Sequence, residues 1–120
     1  MPQKKSLYKL LADKNETRKK YLQNYLTYAK KIKENAEKIL SNPRVLVFGS
    51  VIKEDYLPNS DIDILVISPD APDDLFESTK IKVELTKDFE SGIFEIHLVT
   101  PQKYENWYKN FIKNDFVEIQ

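Results

Sequence analysis

Apolar residues in the first third of the chain recur at three- and four-residue spacing, which is typical of one face of a long amphipathic helix. They are Leu22, Tyr25, Leu26, Ala29, Ile32, Ala36, Ile39 and Leu40. Residue types that cap helices occur between Asp13 and Asn15 and predict where this helix begins. It should end by Asn42, because a residue that precedes proline is biased away from helical geometry. The apolar stretch at residues 7–11 predicts a short preceding turn or helix.

Three later apolar runs predict β-strands, because β-branched and aromatic residues dominate them. They span residues 44–48, 61–68 and 93–99. Apolar residues at 73–89 fit both strand alternation and helical spacing, and a helix is the favoured interpretation. Gly49-Ser50 turns the chain into a short predicted helix at 51–55 and a loop at 56–60.

Thr100 and Pro101 predict the start of a final helix, in which aromatic residues follow the i, i+3, i+4, i+7 pattern. These aromatic residues are Tyr104, Trp107, Tyr108 and Phe111. Such a stripe is more typical of a core or an interface than of a ligand-binding set. The alternation of helices with buried strands predicts an α/β or α+β fold, with helices packed on a small mixed sheet. One domain should span residues 1–120, with a helical segment at 1–42 and an α/β core at 43–120.

Composition narrows the chemistry that is open to the chain. The 120 residues include no cysteine, which excludes disulfides, thiolate metal ligands and cysteine nucleophiles. A metal site must therefore use oxygen ligands or the single histidine, His97. No run of about 18 apolar residues occurs, and the N-terminus lacks the apolar stretch of a signal peptide. We therefore expect a cytoplasmic protein that does not bind a membrane.

Charge is distributed unevenly along the chain, although the formal net charge is zero. Residues 1–40 hold 11 Lys and Arg against 4 Asp and Glu, a balance of +7. Residues 41–120 hold 8 against 15, a balance of −7. A basic helical arm can dock an acidic partner or nucleic acid, but Lys-rich helices are more often simply solvated. Both interpretations stay open.

Two aspartates, Asp61 and Asp63, stand at the start of the second predicted strand. Side chains two apart on a strand share a face, so these carboxylates should converge. Like charges this close are unfavourable unless a cation neutralises them, which predicts an oxygen-ligated divalent metal. An exposed strand start would also explain the Asp-x-Asp pair taken alone. Gly49 and Ser50 favour the metal site, because a small-residue turn before a helix exposes N–H groups that bind phosphate.

Gly49-Ser50, ten intervening residues and Asp61-Ile62-Asp63 on an apolar strand resemble the signature of the DNA polymerase β-like nucleotidyltransferases. Within that superfamily the chain is most similar to the minimal nucleotidyltransferases of bacteria and archaea. The resemblance implies a palm-like fold and metal-dependent transfer of a nucleoside monophosphate, AMP from ATP, to an acceptor hydroxyl. It also implies two Mg²⁺ ions as cofactors, with Mn²⁺ as the alternative.

The resemblance implies that three carboxylates bind the metal ions and act in catalysis. Asp61 and Asp63 match two of them, and Glu95 is the best match for the third. On its strand Glu95 shares a face with His97, which has no role in the family pattern. Rivals for the third position, if residues 81–85 formed the relevant strand, are Glu84, Asp88 and Glu90.

The resemblance also assigns the nucleotide-binding residues. Gly49 and Ser50 should position the phosphates. Lys53 stands near the position where family members usually carry an arginine, and it would contact the triphosphate as a point charge without the bidentate fork.

Minimal nucleotidyltransferases are commonly paired with a HEPN-domain protein in toxin–antitoxin systems, where the partner can be adenylylated on tyrosine. The resemblance therefore implies a protein adenylyltransferase that acts as an antitoxin on a HEPN-type partner. One alternative is an antitoxin that mainly binds and masks its partner. Another is a non-catalytic nucleotide-binding module. A homodimer and a nucleic-acid acceptor also stay open.

Overall fold

A four-stranded mixed sheet forms the centre of the computed structural model, which describes residues 7–53, 57 and 60–120. Its strands are β1 (Arg44–Phe48), β2 (Ile62–Ile67), β3 (Phe94–Val99) and β4 (Phe116–Ile119). The strand order is β3-β2-β1-β4, with β1 antiparallel to both β2 and β4, and β2 parallel to β3. The predicted fold class, helices on a small mixed sheet, is confirmed.

Helices precede, connect and follow these strands. The first four are α1 (Leu7–Gln23), α2 (Tyr25–Ile39), α3 (Ser50–Lys53) and α4 (Leu75–Leu85). The C-terminal helical segment consists of α5 (Pro101–Lys103), a π-helical turn (Tyr104–Tyr108) and α6 (Lys109–Ile112). The helix favoured for residues 73–89 is therefore confirmed as α4. Of the predicted helix at 51–55 and loop at 56–60, residues 54–56 and 58–59 lie outside the described residues.

The single long N-terminal helix that was predicted is divided at Asn24. This residue has φ −119° and ψ 27°, and its side-chain amide donates a hydrogen bond to the Lys20 carbonyl at 2.9 Å. Asparagine side chains compete in this way with the helical backbone, which explains the interruption. α1 also begins before the predicted start, at Leu7, because capping residue types are tolerated inside a helix at below about 1 kcal/mol each. Leu26 and Ile39 of the apolar stripe remain exposed.

Both faces of the sheet are covered. One face packs against α2 and α4, and its buried core includes Ile32, Ala36, Val45, Val47, Ile64, Val66, Leu85 and Ile96. The other face packs against the C-terminal helical segment, with a core of Leu46, Phe48, Leu65, Ile67, Val99, Tyr104 and Ile112. The apolar runs at residues 45–48 of β1 and 64–67 of β2 follow from this double burial. Alternation along β2 places Asp63 on the second face, the same face as Leu65 and Ile67.

The aromatic stripe of the C-terminal helical segment is only partly buried. Tyr104 is buried and Tyr108 is half-buried, whereas Trp107 is 64% exposed and Phe111 is 70% exposed. The π-helical turn contributes to this split, because the Lys109 N–H bonds to the carbonyl five residues earlier and so changes the helical phase. The sheet therefore covers half of the stripe and leaves two large aromatic side chains in solvent.

Strand β4 was not predicted from the sequence. Its backbone pairs antiparallel with β1, and the Arg44 guanidinium donates to both carboxylate oxygens of Glu118 at 3.0 and 2.8 Å. The bidentate ion pair joins the two strands at the edge of the sheet. Within the part of the chain that the structure describes, no helix is long and apolar enough to cross a membrane.

Candidate active site

Asp63 lies at the centre of the candidate site. It is the second residue of β2 and pairs in register with Phe48 of β1 on one side and Glu95 of β3 on the other. Gly49 follows β1 with φ +86°, and a Cβ atom at that position would lie 2.5 Å from Asp63 Oδ2. Glycine is therefore required both for the backbone conformation and for the close approach of the turn to the carboxylate.

Asp63, Glu95 and His97 can each offer one ligand atom, and these atoms lie within 4.8 Å of one another. His97 Nε2 lies 3.5 Å from Asp63 Oδ1 and 3.9 Å from Glu95 Oε1. The parallel register brings β2 and β3 together here, and the two-residue spacing puts Glu95 and His97 on one face. Metal–ligand bonds of about 2.1 Å place neighbouring ligand atoms about 3 to 3.5 Å apart, so the cluster is close to the size of a metal centre.

The Nε2 atom of His97 is buried and has no hydrogen-bond partner among the described residues. The other ring nitrogen, Nδ1, lies 3.3 Å from the Tyr108 hydroxyl, and the ring packs 5.3 Å from the ring of Phe48. An unpaired buried polar atom costs about 1–3 kcal/mol, and a metal ion at Nε2 would remove this cost. The residues present therefore fit the divalent metal that the fold implies.

The electrostatics around Tyr108 keep its hydroxyl neutral. Burial raises the pKa of Tyr108, and the negative charge of Glu95 raises it further. The hydroxyl therefore stays protonated well above neutral pH and can both accept and donate a hydrogen bond beside His97.

Asp61 lies outside this cluster. It immediately precedes β2, and its side chain is 51% exposed. Arg18 of α1 donates to Asp61 Oδ1 at 3.0 Å and to the Ser60 carbonyl at 3.1 Å. A cation from the N-terminal helix thus neutralises Asp61 in this structure, and the sharing of a metal by Asp61 and Asp63 stays a prediction.

The carboxylates that rival Glu95 lie on α4 or just after it. Glu84 accepts a hydrogen bond from Lys87 at 2.6 Å, and Asp88 accepts one from the buried Asn35 at 2.9 Å. Leu85, beside them in sequence, packs into the core on the other face of the sheet. Of the four candidates, the structure brings only Glu95 next to Asp63.

A cavity of about 310 Å³ adjoins the cluster. Its lining residues are Phe48, Gly49, Lys53, Asp63, His97, Phe111, Ile112 and Asp115. Gly49 and Lys53, two of the predicted nucleotide-binding residues, therefore line the same cavity as Asp63. Ser50, the third, is the first residue of α3 and is not among the described residues that line it.

A second cavity, of about 250 Å³, also reaches His97. Its polar lining includes Lys82, Thr100, Lys103 and Tyr108. His97 thus lines both cavities, one of which is also lined by Asp63 and the other by two lysines. Sequence reasoning gave His97 no role, although its spacing from Glu95 on a strand was a usable signal. No sequence signal linked Arg18 to Asp61, which lies 43 residues away.

Comparison with known proteins agrees with this geometry. Residues 29–119 match the family model of the nucleotidyltransferase domain. A crystal structure of a candidate nucleotidyltransferase from Sulfolobus solfataricus is 26% identical, with a TM-score of 0.54 and 84% of each chain covered. A second crystal structure, also of a candidate nucleotidyltransferase, is 31% identical, with a TM-score of 0.52, covering 76% of this chain and 96% of that chain.

None of the curated proteins matches the chain with significance. The family match covers most of the chain and includes all four strands, α2 from residue 29 onwards and the complete Asp63, Glu95 and His97 cluster. The chain therefore belongs to the nucleotidyltransferase domain family.

Proposed function

We propose that the chain transfers AMP from ATP to an acceptor hydroxyl, with Asp61, Asp63 and Glu95 as its catalytic and metal-binding carboxylates. The observation that carries this proposal is the contact of Gly49 with Asp63 at the point where Asp63 pairs with Glu95. It joins a phosphate-binding turn and a pair of carboxylates in a chain of the nucleotidyltransferase family.

When bound, two Mg²⁺ or Mn²⁺ ions would neutralise the charge of the triphosphate and lower the pKa of the acceptor hydroxyl. Asp63, with a side chain only 26% exposed, would be a ligand of the bound metal. Glu95, 58% exposed, can reach the acceptor side as a ligand or accept the hydroxyl proton. Asp61, which pairs with Arg18 in this structure, would contribute a further ligand.

In the proposed reaction the acceptor oxygen attacks the α-phosphorus of ATP, and the bond from that phosphorus to the bridging oxygen breaks. Pyrophosphate leaves with the electron pair, and the acceptor proton passes to Glu95 or to solvent. The backbone of Gly49 and Ser50 and the charge of Lys53 bind the phosphates. The aromatic and aliphatic part of the 310 Å³ cavity, Phe48, Phe111 and Ile112, offers the nucleobase an apolar surface.

The acceptor in this proposal is a tyrosine of a HEPN-type partner, and the chain acts as the antitoxin of that pair. Trp107 and Phe111 support a protein partner, because two large aromatic side chains stay exposed on the segment that borders the active site. Masking of the partner without catalysis is the second candidate, and the same exposed aromatics support it. The single domain over residues 1–120 and the cytoplasmic location stay predictions.

Co-expression with the HEPN-type protein of a neighbouring gene tests the acceptor. We expect co-elution on size exclusion and an intact-mass gain of one AMP on the partner. The mass gain should be lost in Asp63→Asn and when the acceptor tyrosine of the partner is replaced. Co-elution without added mass would favour masking. A partner that neither co-elutes nor gains mass, together with efficient AMP transfer to a free small molecule, would exclude the protein acceptor.

A further inference from the structure

One ring nitrogen of His97, Nε2, has no hydrogen-bond partner among the described residues. Nε2 is buried and unpaired among the described residues, and it lies between Asp63 Oδ1 at 3.5 Å and Glu95 Oε1 at 3.9 Å. Neither carboxylate oxygen makes a hydrogen bond to Nε2 at these separations. They are close to the spacing of two ligands on one metal ion, about 3 to 3.5 Å.

Tyr108 and Phe48 fix the orientation of the imidazole. The Tyr108 hydroxyl lies 3.3 Å from Nδ1, and the Phe48 ring packs 5.3 Å from the imidazole ring. With a proton on Nδ1 donated to the phenol oxygen, the lone pair of Nε2 points towards the two carboxylates. Metal-binding histidines commonly use their second ring nitrogen in this way, which fixes both tautomer and ring orientation.

We infer that His97 is a metal ligand, so that Asp63, Glu95 and His97 form a mixed nitrogen–oxygen centre that prefers first-row transition dications to Mg²⁺. The inference rests on the metal-dependent function proposed above, and it adds a nitrogen ligand where the family resemblance implied carboxylates alone. Imidazole suits transition dications, whereas Mg²⁺ prefers an all-oxygen octahedron and keeps its water. The centre therefore selects its ion by ligand chemistry.

Tyr108 is a positioning residue for this centre. Its hydroxyl lies 3.3 Å from Nδ1, and the π-helical turn that ends at Tyr108 places it beside β3. Loss of such a partner typically costs 10- to 100-fold in metal affinity. Tyr108→Phe should therefore weaken Mn²⁺ binding by about tenfold while leaving the nitrogen ligand in place.

Electron paramagnetic resonance of Mn²⁺ bound to the full, tag-free chain tests the inference directly. His97 is the single histidine, so an imidazole ¹⁴N coupling on bound Mn²⁺ can come from no other side chain of this type. We expect that coupling in the wild type and in Tyr108→Phe. We expect its loss in His97→Gln, together with a fall of about tenfold in the Mn²⁺ over Mg²⁺ binding ratio from competition titrations.

His97→Asp is the matched control, because it returns an oxygen ligand to the same position. It should bind Mg²⁺ at least as well as the wild type and lack the ¹⁴N coupling. Tight Mn²⁺ binding without imidazole coupling in the wild type would overturn the role of His97 and leave the carboxylate metal site standing. Failure of the wild type to bind either ion would overturn the metal site itself. The wild-type spectrum decides the matter even if a variant does not fold.

Discussion

Adding a side chain at Gly49 would cost free energy in two ways, through backbone strain and through a clash with Asp63. Gly92 has nearly the same backbone conformation but no such neighbour, so it allows the two costs to be measured separately. Gly49 has φ +86° and Gly92 has φ +83°, so an alanine is strained at both by roughly 1–2 kcal/mol. A Cβ at position 49 would lie 2.5 Å from Asp63 Oδ2, whereas at position 92 no described atom lies within 4 Å. The backbone cost is therefore matched, and only one substitution displaces the central carboxylate.

We expect the backbone strain in Gly49→Ala and in Gly92→Ala to lower the free energy of unfolding by similar amounts. Gly49→Ala should lower it further, because its Cβ clashes with Asp63. Only Gly49→Ala should weaken Mn²⁺ binding, by at least about tenfold, because the ligand atom must move. Denaturant unfolding and calorimetric titration of both variants measure the two effects. Equal Mn²⁺ affinity in the two variants would show that the contact of Gly49 with Asp63 does not shape the metal site.

Helix α1 contributes a cation, Arg18, to the candidate active site. Arg18 pairs with Asp61 at 3.0 Å, and it must give way if Asp61 binds a metal ion. We expect Arg18→Gln to raise the affinity for divalent metal a few-fold, because a competing positive charge is removed. Lys19→Gln, an exposed charge change on the same helix, is the control and should have little effect. Weaker metal binding in Arg18→Gln would mean that Asp61 needs α1 for its position.

The pairing of β1 with β4 depends on pH through Arg44 and Glu118. The hydrogen bonds and charge of Arg44 hold the pKa of Glu118 below its ordinary value of 4.5. A carboxyl group with a lowered pKa stabilises the fold above its unfolded pKa, and this stabilisation is lost as pH falls through the folded value. The contribution is therefore complete at neutral pH and decreases below about pH 4.5.

We expect Glu118→Gln to lower the free energy of unfolding at neutral pH by less than about 1 kcal/mol, since the pair is partly exposed. The difference from the wild type should shrink as pH falls below about 4.5. Urea unfolding of both proteins across this range measures it. A difference that grows towards acid pH would contradict the assigned direction of the Glu118 pKa.

Elements with long or continuous apolar patterns could be predicted from sequence, and those set by distant contacts could not. Residues 45–48 of β1 and 64–67 of β2 are apolar and buried, so each strand stands out in the sequence as an apolar run. β4 is four residues long, and it depends on pairing with β1 across more than half the chain. The break at Asn24 is set by one side-chain hydrogen bond, which helical periodicity does not record.

The site shows the same division between local and distant information. Gly49 and Asp63 could be named from local spacing, whereas Glu95 was named from the family resemblance. The roles of Arg18 and His97 depend on the fold, since register and helix docking decide which groups face them.

The exposed aromatic side chains beside the candidate active site predict where a partner protein docks. Trp107 is 64% exposed on the C-terminal helical segment, whereas Phe76, at 68%, is a comparably exposed aromatic on α4. We expect Trp107→Ala to weaken partner binding by at least about 30-fold, because buried aromatic anchors at interface centres contribute about 2 kcal/mol or more. Phe76→Ala should change it little. Equal effects in a calorimetric titration with the partner would place the docking surface elsewhere.

Transfer of a nucleoside monophosphate at the Asp63 site would release pyrophosphate, so the leaving group distinguishes this reaction from hydrolysis of the γ-phosphate. ATP labelled at the α-phosphate is incubated with Mn²⁺, the wild-type chain or Asp63→Asn, and the proposed HEPN-type partner. We expect one pyrophosphate released for each labelled AMP found on the acceptor, with both lost in Asp63→Asn and on chelation of the metal. Release of orthophosphate with no label on the acceptor, or equal transfer by Asp63→Asn, would contradict transfer at the Asp63 site.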